Sequence, residues 1–314
     1  MKSFAGFGEV LWDLLPGGAK LGGAVLNFSC RIAGLGGDSA LISRLGSDEE
    51  GAKARKLMLS LGLNCDFVQT DPHLPTGTVN VTFSESGEPD YFIVPNVAYD
   101  SILPDIAMLE MAVQSDCFCF GTLIQRSEQS RKTLDEILAK REGKMNFLDL
   151  NLRKNCHSQG TILSSVRAAS ILKLNEGEAS YLNDLFRFGA TSFEEFADDA
   201  LEIFKLTHCL ITLGDRGVFA RSSTGEQVYL PGYEVPIGDL IGAGDAFSAG
   251  FAFQMINGNS FTASCDFGNR LGAIIATQFG GTTLVTLQEV ADFPFDSFKT
   301  TAADLMTLKP HSIV

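Results

Sequence analysis

The feature that most limits what this chain can fold into is an alternation. Short runs of β-branched, aromatic and aliphatic residues recur along its length, and stretches with helical spacing lie between them. The pattern predicts strands at Phe4–Trp12, Ala40–Leu45, Cys117–Phe120, Met145–Leu148, Ile171–Leu174 and Cys209–Leu213. Helices are predicted over Ala24–Leu35 and Asp48–Leu61, with others between the later strands. Those strands are apolar almost without interruption, so both faces of their sheet need cover. Strands joined through helices give a mostly parallel sheet between helical layers, with right-handed crossovers. The fold class is α/β.

One stretch breaks the rhythm. Thr76–Phe83 and Pro89–Val94 read as extended, with a turn at Glu85-Ser86-Gly87-Glu88 and no helix between them. Val79, Val81 and Phe83 alternate with Thr78, Asn80 and Thr82, the period of a hairpin with one covered face. Such a hairpin is either a small flap over the strand ends or an antiparallel edge of the main sheet, and the pattern alone does not separate the two. With no internal repeat, low-complexity tract or Pro/Ser-rich linker, the chain reads as one domain, 1–314, plus this flap.

Charge and composition remove several classes of function. Against 38 acidic residues stand 24 basic ones, a net charge of −14. A chain this acidic repels phosphate backbones, which argues against nucleic acid and anionic membranes as partners. No apolar run reaches the roughly 18 residues that a membrane span needs, and Met1-Lys2-Ser3-Phe4 does not open a signal peptide. The 7 cysteines are odd in number and scattered, unlike a disulfide framework or a zinc site. A soluble, cytoplasmic protein is expected.

The strongest local signal is Gly242-Ala243-Gly244-Asp245-Ala246-Phe247, followed by Ser248-Ala249-Gly250-Phe251-Ala252. A small-residue loop opening a helix leaves the N–H groups of Gly242, Ala243 and Gly244 unpaired, where the helix dipole favours an anion. Asp245 falls in the first turn. Its plain role is that of an ordinary N-terminal carboxylate; beside a bound anion it is better placed to act as a base. No Gly-x-x-x-x-Gly-Lys-[Ser/Thr] exists, and no Gly-x-Gly-x-x-Gly follows a strand. No His-x-x-x-His or paired Cys-x-x-Cys is present either.

Polar clusters at the ends of other strands gain meaning beside that loop. Gly22-Gly23 with Asn27, Asp149-Leu150-Asn151-Leu152-Arg153, Asn175-Glu176-Gly177-Glu178, and Thr212-Leu213-Gly214 with Gly217 all stand at openings between elements. Each alone is explained as a cap or turn. Together they sit at the carboxyl ends of strands, where open parallel sheets bind ligands.

In that order, from Gly8-Glu9-Val10-Leu11-Trp12-Asp13 through Asp239-x-x-Gly242-Ala243-Gly244-Asp245 to Gly280-Gly281, the chain resembles the ribokinase-like (PfkB) family of ATP-dependent carbohydrate kinases. The resemblance implies a three-layer αβα sandwich with a small β lid, here about 9–22 and 76–96. It implies transfer of the ATP γ-phosphate to a sugar hydroxyl. On it, Asp245 corresponds to the catalytic base, and Gly242, Ala243 and Gly244 to the anion hole. Asn175 and Glu178 match an Asn-x-x-Glu motif that helps hold Mg2+ and its waters, with Glu178 acting through water. Thr212, Gly214 and Gly217 resemble the nucleotide-binding segment, and Asn269 an adenine-side asparagine. Asp13, Gly23 and Asn27 resemble sugar-binding residues, with Arg153 and Arg126 as further substrate candidates.

Two departures stand out. Where the family has Gly-Gly-Ala-Pro-Ala-Asn, this chain has Gly22-Gly23-Ala24-Val25-Leu26-Asn27, bulkier at two positions. The usual Asp-Thr-Thr is Asp239-Leu240-Ile241, in a segment that helps many members bind a monovalent cation; backbone carbonyls survive substitution, which leaves a K+ site at Asp239 within the pattern. The resemblance leans toward a fructokinase, with 2-keto-3-deoxygluconate kinase or ribokinase as alternatives. A catalytically silent sugar-binding regulatory protein on the same fold is the alternative of another class. ATP and a small sugar are the implied partners, in a monomer or a homodimer formed through the lid.

Overall fold

The computed structural model describes residues 2–15, 17–83, 89–295 and 308; for 81–83 and 89–91 it describes the backbone. The expected turn at Glu85–Glu88 lies outside the described residues. In chain order the strands are β1 (Ser3–Phe7), β2 (Leu11–Leu15), β3 (Gly18–Gly22), β4 (Asp38–Gly46), β5 (Val68–Asp71), β6 (Gly77–Phe83), β7 (Pro89–Ile93), β8 (Cys117–Phe120), β9 (Met145–Asp149), β10 (Ile171–Asn175), β11 (His208–Thr212), β12 (Val218–Ser222) and β13 (Gln227–Leu230). The helices are α1 (Ala24–Gly34), α2 (Glu49–Ser60), α3 (Ile106–Gln114), α4 (Glu128–Ala139), α5 (Gln159–Ala168), α6 (Glu176–Phe186), α7 (Phe193–Phe204), α8 (Ala243–Ile256), α9 (Phe261–Ala276) and α10 (Leu287–Asp292).

A nine-stranded sheet runs β13-β12-β11-β10-β9-β8-β1-β4-β5. It is parallel from β5 to β11, and β12 and β13 turn back as an antiparallel edge. The two faces can be read off β8. Cys117 and Cys119 point into the layer that holds Phe28 of α1 and Phe247 and Phe251 of α8. Phe118 and Phe120 point into the opposite layer, against Ile137 of α4 and Ile162 of α5. This is the period of two that a strand imposes, and with both faces covered it yields the αβα sandwich expected from the apolar strands. All seven cysteines are buried thiols, so they act as small core residues. Among the described residues no helix is long and apolar enough to cross a membrane.

The chain runs outward from β1 to β4 and β5, then returns to the other side of β1 and continues from β8 to β11. The order therefore reverses between β1 and β8, and a crevice opens at the carboxyl ends there. The segment expected as one strand, Phe4–Trp12, is two. It breaks after Phe7 because Glu9 turns inward and its Oε1 accepts the N–H of Ala24 at 2.8 Å, filling the cap that Gly23 lacks a side chain to provide. Beyond the break, β2 leaves the main sheet. It pairs with β3 and β6, and β6 with β7, in a separate four-stranded sheet ordered β3-β2-β6-β7. The hairpin is thus not an edge of the main sheet.

Candidate functional site

The start of α8 is built from small residues. Gly242 takes a left-handed conformation (φ 80°) and caps the helix without a side chain. A Cβ there would come within 2.9 Å of the Cα of Gly281, so only glycine lets the two loops touch. Ala243, expected to be unpaired, donates its N–H to Leu240 O at 3.2 Å. Among the described residues, the N–H groups of Gly242 and Gly244 have no such partner. They lie at the positive end of a 14-residue helix, which makes the opening attractive to an anion.

Asp245 stands in that first turn and its Oδ2 accepts from Asn27 Nδ2 at 2.7 Å, a bond from α8 to α1 across 218 residues of sequence. Burial raises its pKa above the ordinary carboxylate value, the neighbouring Asp149 adds to the rise, and Asn27, Lys173 and Arg153 oppose it. A carboxylate held by one amide and pushed upward is a stronger base than a solvated aspartate. Asn27, expected to meet the sugar, gives an amide N–H to this aspartate, while its Oδ1 has no partner among the described residues.

Sequence reasoning missed Lys173. It lies in β10, only 6% exposed, with Nζ 3.0 and 3.1 Å from the two oxygens of Asp149. Ser248 Oγ of α8 donates to the same carboxylate at 2.7 Å. Burial works against the ammonium, yet Asp149, Glu178 and Asp245 hold its pKa above the usual lysine value. A lysine inside the apolar run Ile171-Leu172-Lys173-Leu174 was the available signal, since such a residue needs a buried partner. A Cβ on Gly244 would approach its Nζ to 3.0 Å, which puts the ammonium directly behind the anion loop.

Asn175 and Glu178 form a reciprocal cap on α6. Asn175 Oδ1 accepts from Glu178 N–H and Glu178 Oε2 from Asn175 N–H, each at 2.9 Å, while Glu178 Oε1 accepts from Leu152 N–H at 2.7 Å. Glu178 thereby ties the end of β9 to the end of β10. Each carboxylate oxygen has further lone pairs, enough to accept from water. No cluster of three or more His, Cys, Asp or Glu able to hold a metal occurs among the described residues. This donor set suits an ion that arrives with its own waters.

Beside α8 and α9 lies a cavity of about 520 Å³ that gathers Asn175, Thr212, Gly214, Gly217, Gly244 and Asn269, with Ile237 and Leu240 on its apolar wall. Asn269 reaches Pro231 O through Nδ2 at 2.8 Å. Gly217 (φ 96°) fits because a Cβ would collide with Leu230 O at 2.0 Å.

Asp13 on β2 lies opposite Lys20 of β3 and Val79 of β6. Burial raises its pKa to about 6, with Asp239 adding to the rise and Arg153 and Lys20 opposing it. Gly22 brings backbone up to it: a Cβ there would be 2.7 Å from Asp13 Oδ2. Gly23 (φ 127°) packs on Glu9 O. Arg153 is exposed, and its charge is felt by Glu9, Asp13 and Asp245. Arg126 is placed differently from the substrate role expected of it. Its Nε and Nη2 donate to Asp100 at 2.8 and 2.9 Å, and Nη2 also to Val94 O at 2.7 Å and Tyr99 Oη at 3.0 Å. The guanidinium is consumed in anchoring the exit from β7.

Asp239 has its donors too. Oδ1 accepts from Ile241 N–H at 3.0 Å, Oδ2 from Gly280 N–H at 3.3 Å, and Lys20 Nζ stands 3.8 Å from Oδ2. An ammonium of the chain itself therefore stands beside the carboxylate at which the monovalent cation was expected.

Comparison with known proteins bears on this arrangement. The model of the pfkB family carbohydrate kinases matches residues 18–287. Fructokinase-1 of Oryza sativa subsp. japonica is 28% identical over 305 residues, covering 87% of this chain and 91% of its own. Ribokinase of Bacillus subtilis (strain 168) is 27% identical over 265 residues, 82% of each chain. A fructokinase double mutant from Vibrio cholerae O395, solved with fructose, ADP and a potassium ion, superimposes with a TM-score of 0.79 at 24% identity over 93% of this chain and 97% of its own, a likeness of fold. With the family model spanning most of the sequence and the fold agreeing, this chain belongs to the pfkB family and is a carbohydrate kinase.

Proposed function

We propose that this kinase transfers the γ-phosphate of ATP to a hydroxyl of a monosaccharide, with fructose as the sugar and Asp245 as the general base. The observation that carries the reading is the partly buried Asp245 carboxylate, held by Asn27 and raised in pKa at the amide-lined start of α8.

The nucleotide lies in the cavity along α9, its base side toward Asn269 and its phosphates toward Thr212, Gly214 and the start of α8. The sugar lies between Asp13, Arg153 and Asp245. Asp13 accepts from ring hydroxyls, and a carboxylate that accepts two of them discriminates against analogues lacking one. Asp245 takes the proton of the attacking hydroxyl as its oxygen closes on the γ-phosphorus. The free N–H groups of Gly242 and Gly244 and the helix dipole steady charge on the transferring group, so positioning and electrostatics lower the barrier. Lys173 keeps Asp149 neutralised beside this charge. Magnesium would enter with the nucleotide, its water shell held by Asn175 and Glu178, and supplies positive charge at the phosphates. The four-stranded sheet serves as a lid that excludes water and limits idle ATP hydrolysis.

Fructose is favoured by the fructokinases among the relatives and by the pattern Asp149-x-Asn151-x-Arg153. Ketodeoxygluconate is a weaker fit because Arg126 is spent on Asp100, leaving Arg153 alone to meet a carboxylate. ADP release from Mg-ATP across fructose, ketodeoxygluconate, ribose and glucose tests the reading. Highest kcat/KM on fructose is the expected result, and a preference for ketodeoxygluconate would assign Arg153 to its acid group. Preference for ribose would reject the hexose reading. ATP bound with no sugar phosphorylated would favour a regulatory protein.

A further inference from the structure

The turn at Gly280–Gly281 presses on the anion loop at Gly242 and has two of the chain's own cations beside it. From below, Arg31 of α1, fully buried, donates through Nη2 to Gly281 O at 2.7 Å. From the side, the half-exposed Lys20 of β3 passes Gly280 with room for a methyl group between them, and its ammonium stands 3.8 Å from Asp239 Oδ2. Two nearby carbonyls already accept from the backbone: Ala276 O from Gly238 N–H at 2.8 Å, and Leu240 O from Ala243 N–H. A free cation at Asp239 would be repelled by an ammonium already beside the carboxylate it needs.

We infer that Lys20 is a tethered cation that takes the place of a monovalent ion at Asp239, so that the anion loop is set without potassium. The inference rests on the kinase reading above. Lys20 is a positioning residue, acting through Asp239 and the turn. It also belongs to the same sheet as Asp13 and pairs across strands with it. Docking of that sheet and ordering of the anion loop are therefore one event.

The test measures sugar phosphorylation and the thermal unfolding midpoint in potassium chloride and in tetramethylammonium chloride at equal ionic strength. Wild type is expected to give the same rate and midpoint in both salts. Lys20→Met is expected to lose about tenfold or more of its rate in tetramethylammonium, to regain part of it in potassium, and to gain a potassium-raised midpoint. Lys20→Arg should behave as wild type. A wild-type rate or midpoint that rises in potassium overturns the inference, as does a Lys20→Met rate that is unchanged in both salts. The midpoints need no sugar. A chain that phosphorylates none of the sugars still supports the inference through a potassium-insensitive wild type and a potassium-stabilised Lys20→Met, and that result would count against the kinase reading alone.

Discussion

The ammonium of Lys173 sits on the buried Asp149 carboxylate, with Glu178 and Asp245 adding favourable charge, so removing it leaves Asp149 buried without its cation. Lys173→Met should destabilise the fold by roughly 3–5 kcal/mol, the usual cost of breaking a buried pair from one side. Pairing it with Asp149→Asn should recover much of that loss in a denaturant titration; equal destabilisation in the double variant would dissociate the two residues. Asp13 gives a pH prediction. Burial pushes its carboxyl up to about 6, and only the ionised form accepts from two sugar hydroxyls. Sugar kcat/KM should therefore rise with pH through that region and level off above it, and Asp13→Asn should lower kcat/KM and erase that limb. A limb unchanged in Asp13→Asn would assign it to another group. Arg31 and Lys20 were not legible as site residues because each reads as an ordinary helix or strand position until folding brings its partner close, whereas Lys173 was marked by its place in an apolar run that names no partner.

At the scale of elements, what could be read was what is periodic. The strands β4 and β6 to β11 and the helices α1 and α2 fall within a residue or two of expectation, because continuous apolar runs and caps such as Asp48 on Gly51 mark them locally, whereas the short β5 was not expected. The break between β1 and β2 was illegible, since it depends on Glu9 capping a helix that begins 15 residues later. The strand-end clusters were legible as a group, but not Arg126's role, which depends on Asp100 and the backbone at Val94. The α8 layer offers a packing test. Phe251 is fully buried among the rings of Phe147, Phe247 and Phe261. Phe251→Ala should lower stability by about 3–5 kcal/mol with little change in sugar KM for the folded fraction. A midpoint near that of wild type would contradict this account of the core.

The whole molecule joins a rigid layered body to a separate sheet that carries Asp13 and Lys20. Lys20 stands beside Asp239, Trp12 of β2 donates to Glu50 O of α2 and Arg126 anchors the end of β7, so the sheet is tied to the body at several places. If it is a lid, amide hydrogen exchange in β2 and β3 should slow when sugar and nucleotide bind together, and less with either alone. Exchange that is indifferent to both would leave the sheet a fixed wall. The most direct test of the central claim is the rate of phosphoryl transfer by Asp245→Asn at saturating ATP and sugar, with ATP binding measured beside it. The account predicts a loss of kcat of about 10²–10⁴-fold with ATP affinity retained. Turnover at the wild-type rate would contradict it, because no other carboxylate lies in the first turn of α8.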